Sequence, residues 1–221
     1  MNSSDIQFST MPNGMFVING YEVNSVSIAS EYSSRKTMGE IITSRNCTTD
    51  KNSFHAYCDY FYEKEFARYR DQPIQLIEIG IARGGSLALW GEYFTNAKIL
   101  GLDIDIMDPL GLLEAISSFT NITIGFGDAY TDARASNVPI ADIIIDDGPH
   151  EIEGQLFAIT NYLPKVKPGG IFVIEDVRDD SYFHPMMNLV PPHLKPYAEC
   201  IDLRPIKGRP DDLMFIVRIP E

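Results

Sequence analysis

The sequence predicts an α/β fold, a parallel sheet with helices on both faces followed by an antiparallel hairpin. Three observations carry this reading. Short apolar runs rich in Ile and Val, at 75–79, 98–102, 121–124, 141–145 and 171–174, have the character of strands buried on both faces. These runs alternate with helical segments, which predicts a parallel sheet with right-handed crossovers. Two further strand-like runs, 197–203 and 213–219, are separated only by a Gly- and Pro-containing loop at 206–212 and read as a hairpin.

Before the first of these strands the pattern differs. Residues 16–23 form a short apolar segment broken by Asn19-Gly20, the dipeptide that two-residue hairpin turns favour, and 33–44 read as a short helix. Residues 1–45 are therefore expected to form an N-terminal extension, and 46–221 the main domain. Between 53 and 70 the aromatics Phe54, Tyr57, Tyr60, Phe61, Phe66 and Tyr69 recur at helical spacing. That stripe is read as core, as are Trp90 and Tyr93 further on.

A chain of 221 residues fits one such domain, and its net charge of −13 narrows the partners. Affinity for nucleic acid or an anionic membrane surface comes from Lys and Arg, so neither is expected. No apolar run nears the roughly 20 residues that span a bilayer. Residues 1–10 lack a signal peptide's basic and apolar regions, so the cytoplasm is expected. Cys47, Cys58 and Cys200, odd in number and without C-x-x-C spacing, read as reduced thiols.

The first site candidate lies where the first parallel strand turns into its helix, across Glu78, Gly80, Arg83, Gly84, Gly85 and Ser86. Small residues there let a ligand lie against the backbone. The spacing E-x-G-x-x-x-G-G-S is not the G-x-G-x-x-G that seats a pyrophosphate, which favours a ligand without a diphosphate. Asp103 ends the second strand, where a carboxylate can accept from both ribose hydroxyls, and Asp128 follows the third, where one can accept from an adenine amino group. An Asp at a loop start also caps helices, so Asp128 keeps both readings.

The fourth strand ends in Asp146-Asp147-Gly148-Pro149-His150 and the fifth, after the loop at 166–170, in Glu175-Asp176. On neighbouring strands Asp147, Glu175 and Asp176 would converge, and clustered carboxylates repel unless a cation joins them. Oxygen ligands favour Mg²⁺ or Mn²⁺ over zinc. Capping of the following helices is the alternative for the two aspartates. Glu175 and Asp176 can share an ion only if the strand has already turned. His150 is placed to act as general base beside that ion, whereas His55, His184 and His193 lack such neighbours in sequence.

These motifs together resemble the S-adenosylmethionine-dependent sugar O-methyltransferases of macrolide biosynthesis. The resemblance rests on T-D-K-N-S-F-H-A-Y at 49–57, L-I-E-I-G at 76–80, G-G-S-L at 84–87 with Trp90, D-D-G-P-H at 146–150, P-G-G at 168–170 and V-I-E-D at 173–176. It implies a class I methyltransferase (Rossmann-like) sheet and Mg²⁺-dependent methyl transfer to a sugar hydroxyl of a small molecule or glycan. It also implies Asp147, Glu175 and Asp176 as metal ligands and His150 as base. Glu78, Gly80, Arg83, Gly84, Ser86, Asp103, Asp128 and Asp146 form the expected cofactor set. Family members carry a large N-terminal auxiliary domain where this sequence has about 45 residues, and Pro149 stands where Ser is expected. A homodimer or higher homo-oligomer stays open. The rival readings are a catechol or phenol acceptor, an NAD-dependent oxidoreductase, and a binding module without turnover.

Overall fold

A computed structural model describes residues 8–10, 16–18, 21–23 and 35–221 except 107. It divides into two compact units, Met1–Thr37 and Met38–Glu221. In the first, β1 (Phe8–Thr10), β2 (Phe16–Ile18) and β3 (Tyr21–Val23) form an antiparallel sheet in chain order. Ile18 pairs with Tyr21, the register of a two-residue hairpin. The Asn19-Gly20 turn itself lies outside the described residues.

The larger unit is built on a seven-stranded sheet. Its strands are β4 (Gln75–Ile79), β5 (Lys98–Asp103), β6 (Ile122–Phe126), β7 (Ala141–Asp146), β8 (Val166–Ile174), β9 (Ala198–Asp202) and β10 (Leu213–Arg218), in the order β6-β5-β4-β7-β8-β10-β9. The first five are parallel, and β10 runs antiparallel between β8 and β9. All five predicted parallel strands and the hairpin are present. The hairpin's connection contains a helical turn, Arg204–Lys207.

The expected loop at 166–170 instead lies within β8. Pairing with β7 slips between Ala141 and Ile143, and Gly169, at φ +74°, takes up the irregularity while its amide donates to Ile219 O. A β-bulge explains why a Pro-Gly-Gly sequence can sit inside a strand.

Both faces of the sheet are covered. Leu76, Ile143, Ile145, Val173 and Ile216 point into one core with α1 (Met38–Arg45), the 57–69 segment and α3 (Gly85–Tyr93). Ile77, Ile144, Phe172, Ile174 and Phe215 point into the other, with α6 (Ile152–Asn161) and α7 (Phe183–Leu189). Alternate residues of one strand thus serve opposite cores, which is why the runs show no polar alternation. The further helices are α2 (Glu63–Phe66), α4 (Pro109–Ile116) and α5 (Asp132–Asn137).

The aromatic stripe folds less regularly than predicted. A wide turn at Cys58–Tyr62 precedes α2 and a tight one at Ala67–Tyr69 follows it. The wide turn shifts the helical register, so Tyr57, Phe61, Tyr62, Phe66 and Tyr69 are buried while Phe54 and Tyr60 face solvent. Trp90 and Tyr93 are buried as read from the sequence.

Candidate active site

The sheet order reverses at β4, whose neighbours are β5 and β7, and clefts form at the carboxyl ends of strands beside such a reversal. Gly80, just past β4, has φ +82°, and a Cβ there would overlap the Asp147 carbonyl oxygen beyond β7. A Cβ on Gly85 would likewise overlap Thr48 O. The absent side chains let three segments meet. They enclose a cavity of about 940 Å³, of the size that holds a small organic ligand.

Gly80, Ser86, Asp103 and Asp128 of the expected cofactor set line this cavity. Asp103 Oδ2 accepts from the amides of Ile81 and Ala82, each at 3.0 Å, and so fixes the loop after β4. Asp128 Oδ1 accepts from Tyr130 N at 2.8 Å, while Thr131 caps α5.

The other four lie elsewhere. Glu78 is fully buried behind Ser86, whose hydroxyl donates to Oε2 at 2.8 Å. Arg83 is exposed, outside the lining, and Gly84, at φ +76°, packs against Leu112 as it starts α3. Asp146 lies beneath Tyr130, whose hydroxyl donates to Oδ1 at 2.5 Å, and burial pushes its carboxyl up to about 7. Tyr130, Ala129 and Ile104, which no motif marked, also line it, as does Thr49 at the start of the 49–57 motif.

The second half of the site lies at the ends of β7 and β8. Glu175 N donates to Asp146 O at 2.9 Å, which keeps the strands paired, and Asp176, at φ +50°, then turns the chain. That turn reverses the side-chain alternation and brings Asp176 toward Asp147. His150 Nε2 lies 3.2 Å from Asp147 Oδ1 and 3.6 Å from Asp176 Oδ2.

One donor atom from each of Asp147, His150 and Asp176 falls within 4.8 Å of the others. Neither aspartate caps a helix, since Glu151 occupies that place before α6 and Asp179 before the turn at Asp180–Tyr182. Two converging carboxylates beside an imidazole are a donor set that fits a hard divalent cation. Burial disfavours the imidazolium of His150, but Asp147 and Asp176 outweigh it and hold its pKa above the ordinary value.

Glu175 does not join this group. It is 1% exposed, with Oε2 2.7 Å from Lys51 Nζ and Oε1 accepting from the Tyr62 hydroxyl. Lys51, also fully buried, reaches Asp147 Oδ2 at 2.7 Å and Glu78 Oε1 at 3.4 Å. Burial opposes its charge, and the three carboxylates outweigh burial, so the ammonium is held well above its ordinary pKa. The cation that meets Glu175 in this structure is thus Lys51.

His55, which lacks such neighbours in sequence and was read as surface or packing, is buried and has partners in the fold. Its Nδ1 lies 2.5 Å from Asp212 Oδ1 at the start of β10, and its Nε2 faces Asp176 Oδ1 at 3.6 Å. Tyr57, read as core, donates its hydroxyl to Asp176 Oδ1. Lys51, His55 and Tyr57 share one short segment, and only the folded chain reveals their partners, which lie far along the sequence.

The strand order, its antiparallel insertion and the cavity above the β4 turn define the class I methyltransferase fold. Solved structures agree. The methyltransferase MycE of the mycinamycin biosynthetic pathway, in complex with Mg, SAH and mycinamycin VI, superposes with TM-score 0.65 at 18% identity, over 96% of this chain and 68% of MycE. Fibrillarin from Aeropyrum pernix, bound to S-adenosyl-L-methionine, gives 0.52 at 15% identity, over 67% of this chain and 68% of its own.

Sequence comparison bears out the resemblance drawn from the motifs. The chain is 33% identical over 148 residues to demethylmacrocin O-methyltransferase of Streptomyces fradiae, covering 62% of this chain and 35% of the relative. It is 33% identical over 152 residues to mycinamicin VI 2''-O-methyltransferase of Micromonospora griseorubida, covering 65% and 37%. The match therefore spans about a third of these relatives' length. No family model matches the chain.

Proposed function

We propose that this chain is an S-adenosylmethionine-dependent, divalent-metal-dependent O-methyltransferase acting on a sugar hydroxyl of a glycosylated small molecule. The observation that carries the reading is the placement of His150 Nε2 between Asp147 and Asp176, with Asp147 and His150 on the wall of the glycine-floored cavity. The names of the relatives support the acceptor class. The antiparallel β10, where a dinucleotide oxidoreductase would continue with a sixth parallel strand, speaks against an NAD enzyme.

When bound, S-adenosylmethionine supplies an electrophilic methyl group, and Mg²⁺ or Mn²⁺ lowers the pKa of an acceptor hydroxyl. The chain's own residues do the rest. Gly80 and Gly85 leave room for the donor against the backbone, and Asp103, with the loop amides already on it, presents its remaining lone pairs to a ribose. Asp147 and Asp176 would hold the ion. His150, its ring oriented by the contact between Nε2 and Asp147 Oδ1, takes the hydroxyl proton. Fixing donor and acceptor in one closed cavity supplies the alignment a displacement at carbon needs.

Residues 46–221 form the methyltransferase domain in this reading and 1–45 an extension; Met38 and Ile41 of α1 are buried in the larger unit's core. Among the described residues no helix is long and apolar enough to cross a membrane, and a cytoplasmic location is part of the proposal. The test is transfer of labelled methyl from S-adenosylmethionine to glycosides of the kind those relatives' names describe, with and without chelator. Chelator-sensitive labelling of the sugar is the expected result. Labelling of a catechol but of no glycoside would move the acceptor class, and a melting temperature raised by NAD⁺ but not by S-adenosylhomocysteine would overturn the reading.

A further inference from the structure

Resting on that reading, we infer that Phe54 is a specificity-determining residue, an aromatic platform at the cavity rim on which the apolar face of the acceptor's sugar ring lies. Neither the donor site nor the ion site uses this ring. Its surroundings are nevertheless built.

Phe54 is 61% exposed and yet lines the cavity, in company with Ser53, Pro149 and His150. A single exposed phenyl says little on its own. What marks this one is its backing by the loop between β9 and β10. The Lys207 ammonium donates to the carbonyls of Asn52 and His55, each at 2.7 Å, and to that of Ser53 at 3.3 Å. All its hydrogens are thus spent on the turn that carries Phe54. Arg209 sets its guanidinium over the ring, 5.5 Å from the centroid, and Asp211 holds that guanidinium at 3.1 and 3.2 Å. A cation braces one face of the ring, and the exposed remainder is available to a ligand.

The platform stands on the acceptor side. Gly80, Asp103 and Asp128 of the donor side lie at the ends of β4, β5 and β6, whereas His150 and Asp176 follow β7 and β8. His55, the residue after Phe54, turns Nε2 to Asp176 Oδ1 at 3.6 Å, so the chain at 54–55 borders the corner where the acceptor hydroxyl reacts. A pyranose is polar around its rim of hydroxyls and apolar on its C–H faces, whose slight positive charge suits the negative face of an aromatic ring. His150 serves the hydroxyl, and Phe54 with Pro149 offers apolar surface to the ring. Such a platform discriminates among sugars, because an axial hydroxyl on the stacked face lifts the ring away.

Kinetics on the glycoside that accepts labelled methyl, with S-adenosylhomocysteine titrations alongside, test this. Phe54→Ala should raise the acceptor KM by about tenfold or more, with kcat within about threefold and S-adenosylhomocysteine affinity within about twofold of the unsubstituted chain. Phe54→Leu, apolar but without a ring, should raise KM nearly as much, and Phe54→Tyr should keep it within about threefold. Being exposed, Phe54 can be replaced without loss of the fold, which an unchanged melting temperature checks. Binding without turnover is read from Phe54→Trp, because the chain's other tryptophan, Trp90, is buried. Its emission should shift when that glycoside is added with S-adenosylhomocysteine and Mg²⁺. A KM unmoved by Phe54→Ala or by Phe54→Leu, a matching loss of S-adenosylhomocysteine affinity, or an unchanged emission overturns this inference and leaves the proposed function standing. A chain that labels no glycoside overturns both.

Discussion

His150 Nε2 and Asp147 Oδ1, three positions apart in sequence, face each other across 3.2 Å because His150 takes up a left-handed backbone conformation at φ +59°. An extended or helical residue there would carry the ring away from the carboxylate. The substitution that removes the base should therefore keep that conformation, and Asn does so more readily than Ala. His150→Asn should lower turnover by about 100-fold or more. Calorimetric titration with S-adenosylhomocysteine should find cofactor affinity nearly unchanged; a matching loss there would remove His150 from the role of base.

Asp103 does two jobs, bracing the loop through the amides of Ile81 and Ala82 and facing the cavity. Asp103→Ala should weaken S-adenosylhomocysteine by about tenfold or more, the cost of leaving amides and ribose hydroxyls without a charged acceptor. Mn²⁺ affinity should stay close to that of the unsubstituted chain, because the carboxylates beyond β7 and β8 are untouched. Parallel titrations with the two ligands check the separation.

Gly80→Ala puts a Cβ into the Asp147 carbonyl at a backbone angle that side chains disfavour. A loss of about 2 kcal/mol or more is expected in urea unfolding. Gly208 also has positive φ but nothing within 4 Å of a Cβ, so Gly208→Ala should cost clearly less and serves as the control.

On the opposite side of the fold from this chemistry, Arg218 donates to both oxygens of Glu65, each at 3.0 Å. Those hydrogen bonds hold the Glu65 carboxyl below its ordinary value of 4.5, against a smaller opposing effect of burial. A depressed carboxyl pKa stabilises the fold fully above that ordinary value, and the contribution disappears as pH falls through the folded pKa. Arg218→Met should therefore lower the melting temperature at pH 7 and have progressively less effect below about pH 4.3, the free Glu pKa. An equal drop at pH 7 and pH 3 would show that packing, not the ion pair, is what Arg218 contributes.

The scaffold was legible because burial on both faces writes itself locally. Ile143, Ile144 and Ile145 leave no doubt about a strand, and Gly80 and Asp147 mark where two strands stop. The bulge in β8 was not legible, since Pro168 and Gly169 signal a turn equally well when a neighbouring strand pins them. Nor was Lys51. A lysine between Asp50 and Asn52 reads as solvated, and only contacts 96 and 124 positions away make it a buried cation. The one available hint is the cluster of carboxylates at the strand ends, which reads as a metal site or as helix caps before it suggests a buried lysine. Arg83 shows the converse: it sits in sequence among residues that line the cavity, but is itself exposed and outside that lining.

The insertion of β10 between β8 and β9 has a bearing on biosynthesis. Asp212, which grips His55, lies immediately before a strand whose partners, β8 and β9, both precede it in the chain. Until residue 212 is made, a nascent polypeptide lacks the carboxylate that seats His55, although β4 to β7 are already in the chain. The corner around His55 is thus completed after the strand ends that line the cavity.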